Sequence, residues 1–95
     1  MADATWPFDQ PPNCAVVTLK SIVSEGAPIL HVTHDGDDHG WQFLSAGDAE
    51  ANDAAVLLLA EIVKLDPSVL EVADLAPGWH AWRRDRLSPW ERGPR

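Results

Sequence analysis

The sequence predicts an α+β domain, a small antiparallel sheet with a central hairpin packed against one main helix. Three observations predict it. Short β-branched or aromatic runs come first, at 14–19, 28–34 and 41–44. A run of turn formers, Asp35-Gly36-Asp37-Asp38-His39-Gly40, joins the second to the third. Helical periodicity then takes over from Asp53. Strands followed by helices, without regular alternation, indicate an antiparallel sheet rather than a doubly wound parallel one.

Residues 1–12 hold Pro7, Pro11 and Pro12 and read as an extended N-terminal arm, with Trp6 and Phe8 as candidate anchors. Residues 13–95 then form a single α+β domain. Cys14 to Leu19 is short and β-branched, the pattern of a buried strand. Lys20 to Ala27, broken by Gly26 and Pro28, predicts a bent connection with room for a helical turn.

The hairpin spans about 28–44, with Pro28 at its start, where a missing N–H is tolerated. If His34 opposes Trp41, Val32 opposes Phe43. Leu30, Val32, Trp41 and Phe43 then share the core face, and His31, Thr33 and Gln42 point the other way.

Ser45 to Asn52 is small and polar, with Asp48 and Asn52 as helix-capping candidates. Ala55, Leu58, Leu59, Ile62 and Leu65 recur at three and four, predicting the main helix over about 53–65. Asp66-Pro67 ends it and starts a short second helix over about 67–74. Pro77-Gly78 is a turn. Trp79 to Arg84 reads as a fourth strand or a packed loop, and the chain beyond it as irregular.

Composition narrows the function. The 95 residues are 45% hydrophobic and 23% charged, the balance of one globular domain. No apolar run is long enough to span a bilayer, the N-terminus has no signal-peptide pattern, and Cys14 is the only cysteine. A reducing, cytoplasmic location and no membrane partner are the expectation. The net charge is −8; residues 1–82 carry 13 acidic and 2 basic side chains, whereas 83–95 carry five arginines against Asp85 and Glu91. An acidic body repels nucleic acid, so no nucleic-acid partner is expected; the basic tail is expected to fold back or to be solvated.

Candidate chemistry is sparse. His31, His34, Asp35, Asp37, Asp38 and His39 lie within nine residues and are all possible metal ligands. On a strand, however, 31 and 34 face opposite sides. Only His34, Asp35 and His39 can converge, around the turn, and they form the alternative, metal-binding reading against a plain solvated turn. Cys14 sits in an apolar strand, where cysteine behaves as a small hydrophobe. There is no phosphate-binding loop, dinucleotide fingerprint or nucleophile elbow, so neither an enzyme nor a cofactor is expected.

Five tryptophans and no tyrosine are the compositional oddity. Trp41 is assigned to the hairpin core, and Trp6 and Trp90 to anchoring irregular ends. Trp79 and Trp82 flank a turn and an arginine-rich stretch, and tryptophan and arginine dominate binding hot spots. The competing reading is an internal stack of Arg83, Arg84 or Arg86 on a tryptophan.

Read together, Cys14-Ala15-Val16-Val17-Thr18, Gly26-Ala27-Pro28-Ile29 and Asp38 to Asp48 resemble a family of small bacterial proteins grouped with immunity proteins of polymorphic toxin systems. The signature is a Gly-Trp-x-Phe core followed by Ser, Gly and acidic residues, here Gly40, Trp41, Phe43, Ser45, Gly47 and Asp48. Leu65-Asp66-Pro67 and the Pro- and Trp-rich close also fit. Ala46 lengthens the Ser45–Gly47 spacing relative to the family's tighter form. The resemblance implies an α+β fold and, in some members, neutralisation of a partner toxin, with no catalytic residues to carry over. The expectation is therefore a non-catalytic, immunity-like protein-binding domain for a basic toxin. Trp79 and Trp82 would make the contact, with Asp37, Asp38 and Asp48 as an acidic rim.

Overall fold

The computed structural model describes residues 6–45 and 53–95. Asp48 lies outside the described residues. The described residues form a compact α+β domain, a six-stranded mixed sheet with three short helices. The elements run β1 (Ala15–Leu19), α1 (Lys20–Glu25), β2 (His31–His34), β3 (Trp41–Leu44), β4 (Ala54–Leu58) and α2 (Leu59–Leu65). A 3₁₀ segment (Pro67–Val72), β5 (Trp79–Trp82) and β6 (Glu91–Pro94) follow.

The spatial order is β4-β1-β3-β2-β5-β6. Every pairing is antiparallel except β1 with β3, which is parallel and in register only at Val17 and Gln42. The expected small antiparallel sheet is thus corrected to a larger, mixed one. The buried Thr18 hydroxyl donates to the Phe43 carbonyl at 2.8 Å, a side-chain bond where the two strands share little ladder.

The hairpin has the expected register, His34 opposite Trp41 and Val32 opposite Phe43. The Asp35 N–H donates to the Gly40 carbonyl at 2.8 Å and closes the turn. His39 holds a positive φ of 59°, a conformation that histidine tolerates better than branched residues do.

The main helix is where expectation and structure part. Only Leu59–Leu65 is helical; Ala54–Leu58, the first part of the predicted 53–65 helix, is strand β4, paired with all five residues of β1. The segment Ala-Ala-Val-Leu-Leu is a continuous apolar run that fits a helical stripe or a strand equally, and only its burial alternates. Ala55 and Leu57 are half-buried while Ala54, Val56 and Leu58 are exposed. Pairing with β1, a tertiary interaction, decides between the two patterns.

The helix start is satisfied from outside. The N–H groups of Leu59 and Ala60 donate to the carbonyls of Cys14 and Pro12, and Glu61 accepts from the Leu58 N–H at 3.1 Å. The predicted 67–74 helix is a 3₁₀ segment ending at Val72, with Asp66 capping Ser68 N–H at 3.0 Å. Trp79–Trp82 is a strand, and Glu91–Pro94, expected to be irregular, is the sixth.

All helices lie on one side. Ile22 of α1, Leu59 and Ile62 of α2, and Val69 and Val72 of the 3₁₀ segment join one core with Val16, Val32, Trp41, Phe43 and Ala81 from the sheet. Phe8 enters the same core, edge-on to Trp41 with ring centroids 5.0 Å apart. Among the described residues no helix contributes to the opposite face.

Candidate functional site

The open face of the sheet can be read off the register. One row of aligned residues crosses all six strands: Val56, Val17, Gln42, Thr33, His80 and Gly93. Trp82 and His31 form a neighbouring aligned pair on the same face. Val56 is 68% exposed and pairs directly with Val17, which is also exposed. Sheets with one layer of helices ordinarily turn polar residues to solvent, so apolar side chains here mark a surface suited to contact.

The two tryptophans singled out by sequence occupy opposite faces. Trp79 aligns with His34 on the helix side, whereas Trp82 aligns with His31 on the open side. Each is 37% exposed, but they do not share one surface. Trp79 lies beside the hairpin turn, where the Gly78 N–H donates to the His34 carbonyl at 2.7 Å.

The aspartates of the turn divide similarly. Asp35 accepts from the N–H of Asp37 at 2.7 Å and, more weakly, from that of Asp38, which holds its carboxyl below the ordinary range. Asp38 accepts from Gly40 N–H at 2.8 Å. Asp37 and Asp38 remain exposed. Asp35 and Asp38 line a cleft of about 210 Å³ with Ala15, Val17 and Gln42, so the acidic turn borders the apolar face.

His34, Asp35 and His39 do not assemble as a ligand set. His34 is buried, stacked on the Trp41 indole with ring centroids 4.0 Å apart. Its Nδ1 donates to the Leu75 carbonyl at 2.6 Å, since a carbonyl can only accept. Its Nε2 lies 3.0 Å from Asp9 Oδ2 without the alignment of a hydrogen bond. His39 reaches His34 only as a ring edge, with centroids 6.0 Å apart. Among the described residues no group of three or more His, Cys, Asp or Glu is placed to hold a metal.

Asp9 and His34 line a second cleft, of about 260 Å³, with Asp74 and the 73–77 backbone. Among the described residues its lining includes no Ser, Thr, Cys or Lys.

Two constellations go beyond what the sequence indicates. The first is Arg83, which is buried: an internal stack of Arg83, Arg84 or Arg86 on a tryptophan and a folded-back tail are among the expectations, but the polar partners of Arg83 are not. It donates to the Ile29 carbonyl, to Ser68 Oγ and to Asp66 Oδ2, and stacks 4.2 Å over the Trp90 ring. Arg86 donates to the Gly26 carbonyl, and Arg92 to Asp74 and the Glu71 carbonyl, so the tail is bound back onto the body. The second is His31 with His80, 49 residues apart in sequence and joined at 2.9 Å on the open face. Burial, then the neighbouring His80 and Arg95, lower the pKa of His31. No signal in the sequence links these two residues, because the β2–β5 pairing alone brings them together.

No helix of the described residues is long and apolar enough to cross a membrane. No protein-family model matches the chain, and neither the curated proteins nor the solved structures contain a significant match to it.

Proposed function

We propose that this chain is a non-catalytic protein-binding domain of immunity type that docks a basic bacterial effector on the open face of its sheet. The observation that carries the reading is the row of aligned open-face residues beginning at Val56 and Val17, with Trp82 alongside and the Asp35–Asp38 turn at its border. Exposed valines toward one edge of the face, a tryptophan toward the other and a charged turn at the strand ends supply the residue types of a binding interface. The net charge of −8 favours a basic partner through steering. The resemblance of the Gly40-Trp41-x-Phe43 segment to immunity proteins supplies the effector class.

Trp82, Asp37 and Asp38 stay in the proposed contact surface. Trp79, on the other face, is assigned instead to support of the turn.

The test is co-purification with an effector encoded beside this gene. A Val56→Lys/Trp82→Glu double variant should remain folded, with Trp82→Phe as the milder control, and lose capture. A Trp79→Ala variant should retain capture if it still folds. Undiminished capture by the double variant would overturn the assignment of the face. Absence of any neighbouring effector, with no basic protein captured, would remove the functional reading itself.

A further inference from the structure

The contact between His31 and His80 supports a site that the proposed docking role does not need. His31 is on β2 and His80 on β5, and both project from the open face because each lies one residue from the core positions Val32 and Ala81. Thr33 aligns with His80 and Trp82 with His31, so the two imidazoles meet on the diagonal between these pairs. Their rings stand edge to face at 74°, with His31 Nε2 and His80 Nδ1 2.9 Å apart. Both side chains are half-buried, so their rotamers are restrained by neighbours rather than free in solvent.

The separation is informative. A metal–imidazole bond is about 2.0–2.1 Å long, so two nitrogens 2.9 Å apart subtend about 90° at a shared ion. That is the angle between neighbouring ligands in square-planar or octahedral geometry. A tetrahedral ion needs its nitrogens about 3.3–3.4 Å apart at the same bond length. Nitrogen ligands in tetragonal geometry select copper(II) and nickel(II).

We propose that His31 Nε2 and His80 Nδ1 form a two-imidazole site for a tetragonal divalent ion of the copper or nickel class, with water in the remaining positions. Loading the site loses no proton. Whichever ring donates in the His31–His80 bond moves its hydrogen to its other nitrogen, and both facing lone pairs then turn to the ion. The acidic body draws cations toward the surface, and Arg95, the positive neighbour of His31, opposes them. The site is distinct from His34, Asp35 and His39, whose groups are engaged elsewhere.

The experiment is titration of the full chain, with its N-terminal amine acetylated, using copper(II), nickel(II) and zinc chlorides in a non-chelating buffer. Calorimetry gives stoichiometry, and tryptophan fluorescence gives proximity, because Trp82 lies 4.8 Å from the His80 ring. The expected result is one equivalent of copper or nickel bound more tightly than zinc, with quenching that diminishes in Trp82→Phe. His31→Gln and His80→Gln should each weaken binding by roughly tenfold or more, since each removes one of two protein ligands. Their amide spectra should show that both variants remain folded. His39→Gln should change nothing. No saturable binding would overturn the site. So would binding that survives both single substitutions, a preference for zinc, or an equal loss in His39→Gln.

Discussion

Arg83 Nη2 and Asp66 Oδ2 lie 2.7 Å apart in a nearly water-free setting, and this ion pair ties the end of β5 to the start of the 3₁₀ segment. The rest of the guanidinium is satisfied as well, by the Ile29 carbonyl, Ser68 Oγ and the face of Trp90. Removing one partner of such a pair strands the other charge, which costs about 3–5 kcal/mol. Arg83→Met should therefore remove a large part of a total stability on the order of 5–15 kcal/mol. Arg83→Lys should recover little, because a single ammonium cannot reproduce the planar fork that reaches Ile29, Ser68 and Asp66 together. Urea denaturation of the three proteins checks this, and equal stability of the Lys variant and the parent would contradict it.

The arm before β1 is held by a second carboxylate. Asp9 Oδ1 accepts from Trp41 Nε1 at 2.9 Å, and Oδ2 faces His34 Nε2. Phe8, one residue away, is in the core. Asp9→Ala removes the indole's partner and should cost about 1–2 kcal/mol, the range for a partly buried hydrogen bond left unmade. Asp9→Asn keeps a carbonyl acceptor for Trp41 and should cost less. The arm should become more sensitive to protease in the Ala variant, and the Trp41 emission should shift to the red. Unchanged cleavage kinetics would show that the arm's other contacts, Phe8 and Trp6 on the core and the Pro12 carbonyl on Ala60 N–H, hold it without Asp9.

Acid should weaken the fold in two stages. Burial, and then the neighbouring His80 and Arg95, depress the His31 pKa below its ordinary value of 6.5. The unfolded chain then binds more protons below that value than the folded one does. This contribution is complete above 6.5 and is lost as pH falls through 6.5 toward the folded-state value.

Asp35, Asp74 and Asp85 act in the same direction at lower pH. The Asp37 and Asp38 N–H groups stabilise the Asp35 carboxylate; Arg92 does so for Asp74; and the Ser88 hydroxyl and Leu87 N–H do so for Asp85. Their contribution is complete above 3.8 and fades as pH drops through the depressed folded values. Denaturation midpoints measured from neutral to acid pH should show both declines, and His31→Gln should remove only the first. A midpoint that rises on mild acidification would reverse the sign.

The hairpin was legible because strand alternation has period two. Once Asp35–Gly40 is a turn, placing Val32 and Phe43 inward determines every other position, including the opposite orientations of His31 and His34. The same parity separates Trp79 from Trp82 once their segment is a strand. β6 was not legible. Glu91-Arg92-Gly93-Pro94 has little strand propensity and is a strand because β5 offers a free edge. Its charges and proline suit the outer edge of a sheet, where further pairing must be discouraged. The His31–His80 contact and the polar partners of Arg83 were hidden for the same reason, since both depend on long-range pairings and neither leaves a local pattern, whereas the stacking of an arginine of this stretch on a tryptophan is an alternative the sequence itself offers.

The strand identity of Ala54–Leu58 makes a prediction that the helical reading reverses. A helical stripe through Ala55, Leu58, Leu59 and Ile62 buries Leu58 and leaves Leu57 outside. In the structure Leu57 packs against the core, and Leu58 is 42% exposed on the open face. Leu57→Ala should therefore cost about 2 kcal/mol, the lower end of the range for truncating a leucine that touches a core. Leu58→Ala should cost less than about 1 kcal/mol, closer to an ordinary surface change. Val56→Ala, at the most exposed apolar position of β4, should cost little in the monomer while reducing capture of a docked partner. Chemical denaturation of the three variants orders them as Leu57, then Leu58, then Val56. If Leu58→Ala proved the most damaging, residues 54–58 would have to be helical in solution, and the pairing with β1 that opens the proposed docking face at Val17 and Val56 would be lost with it.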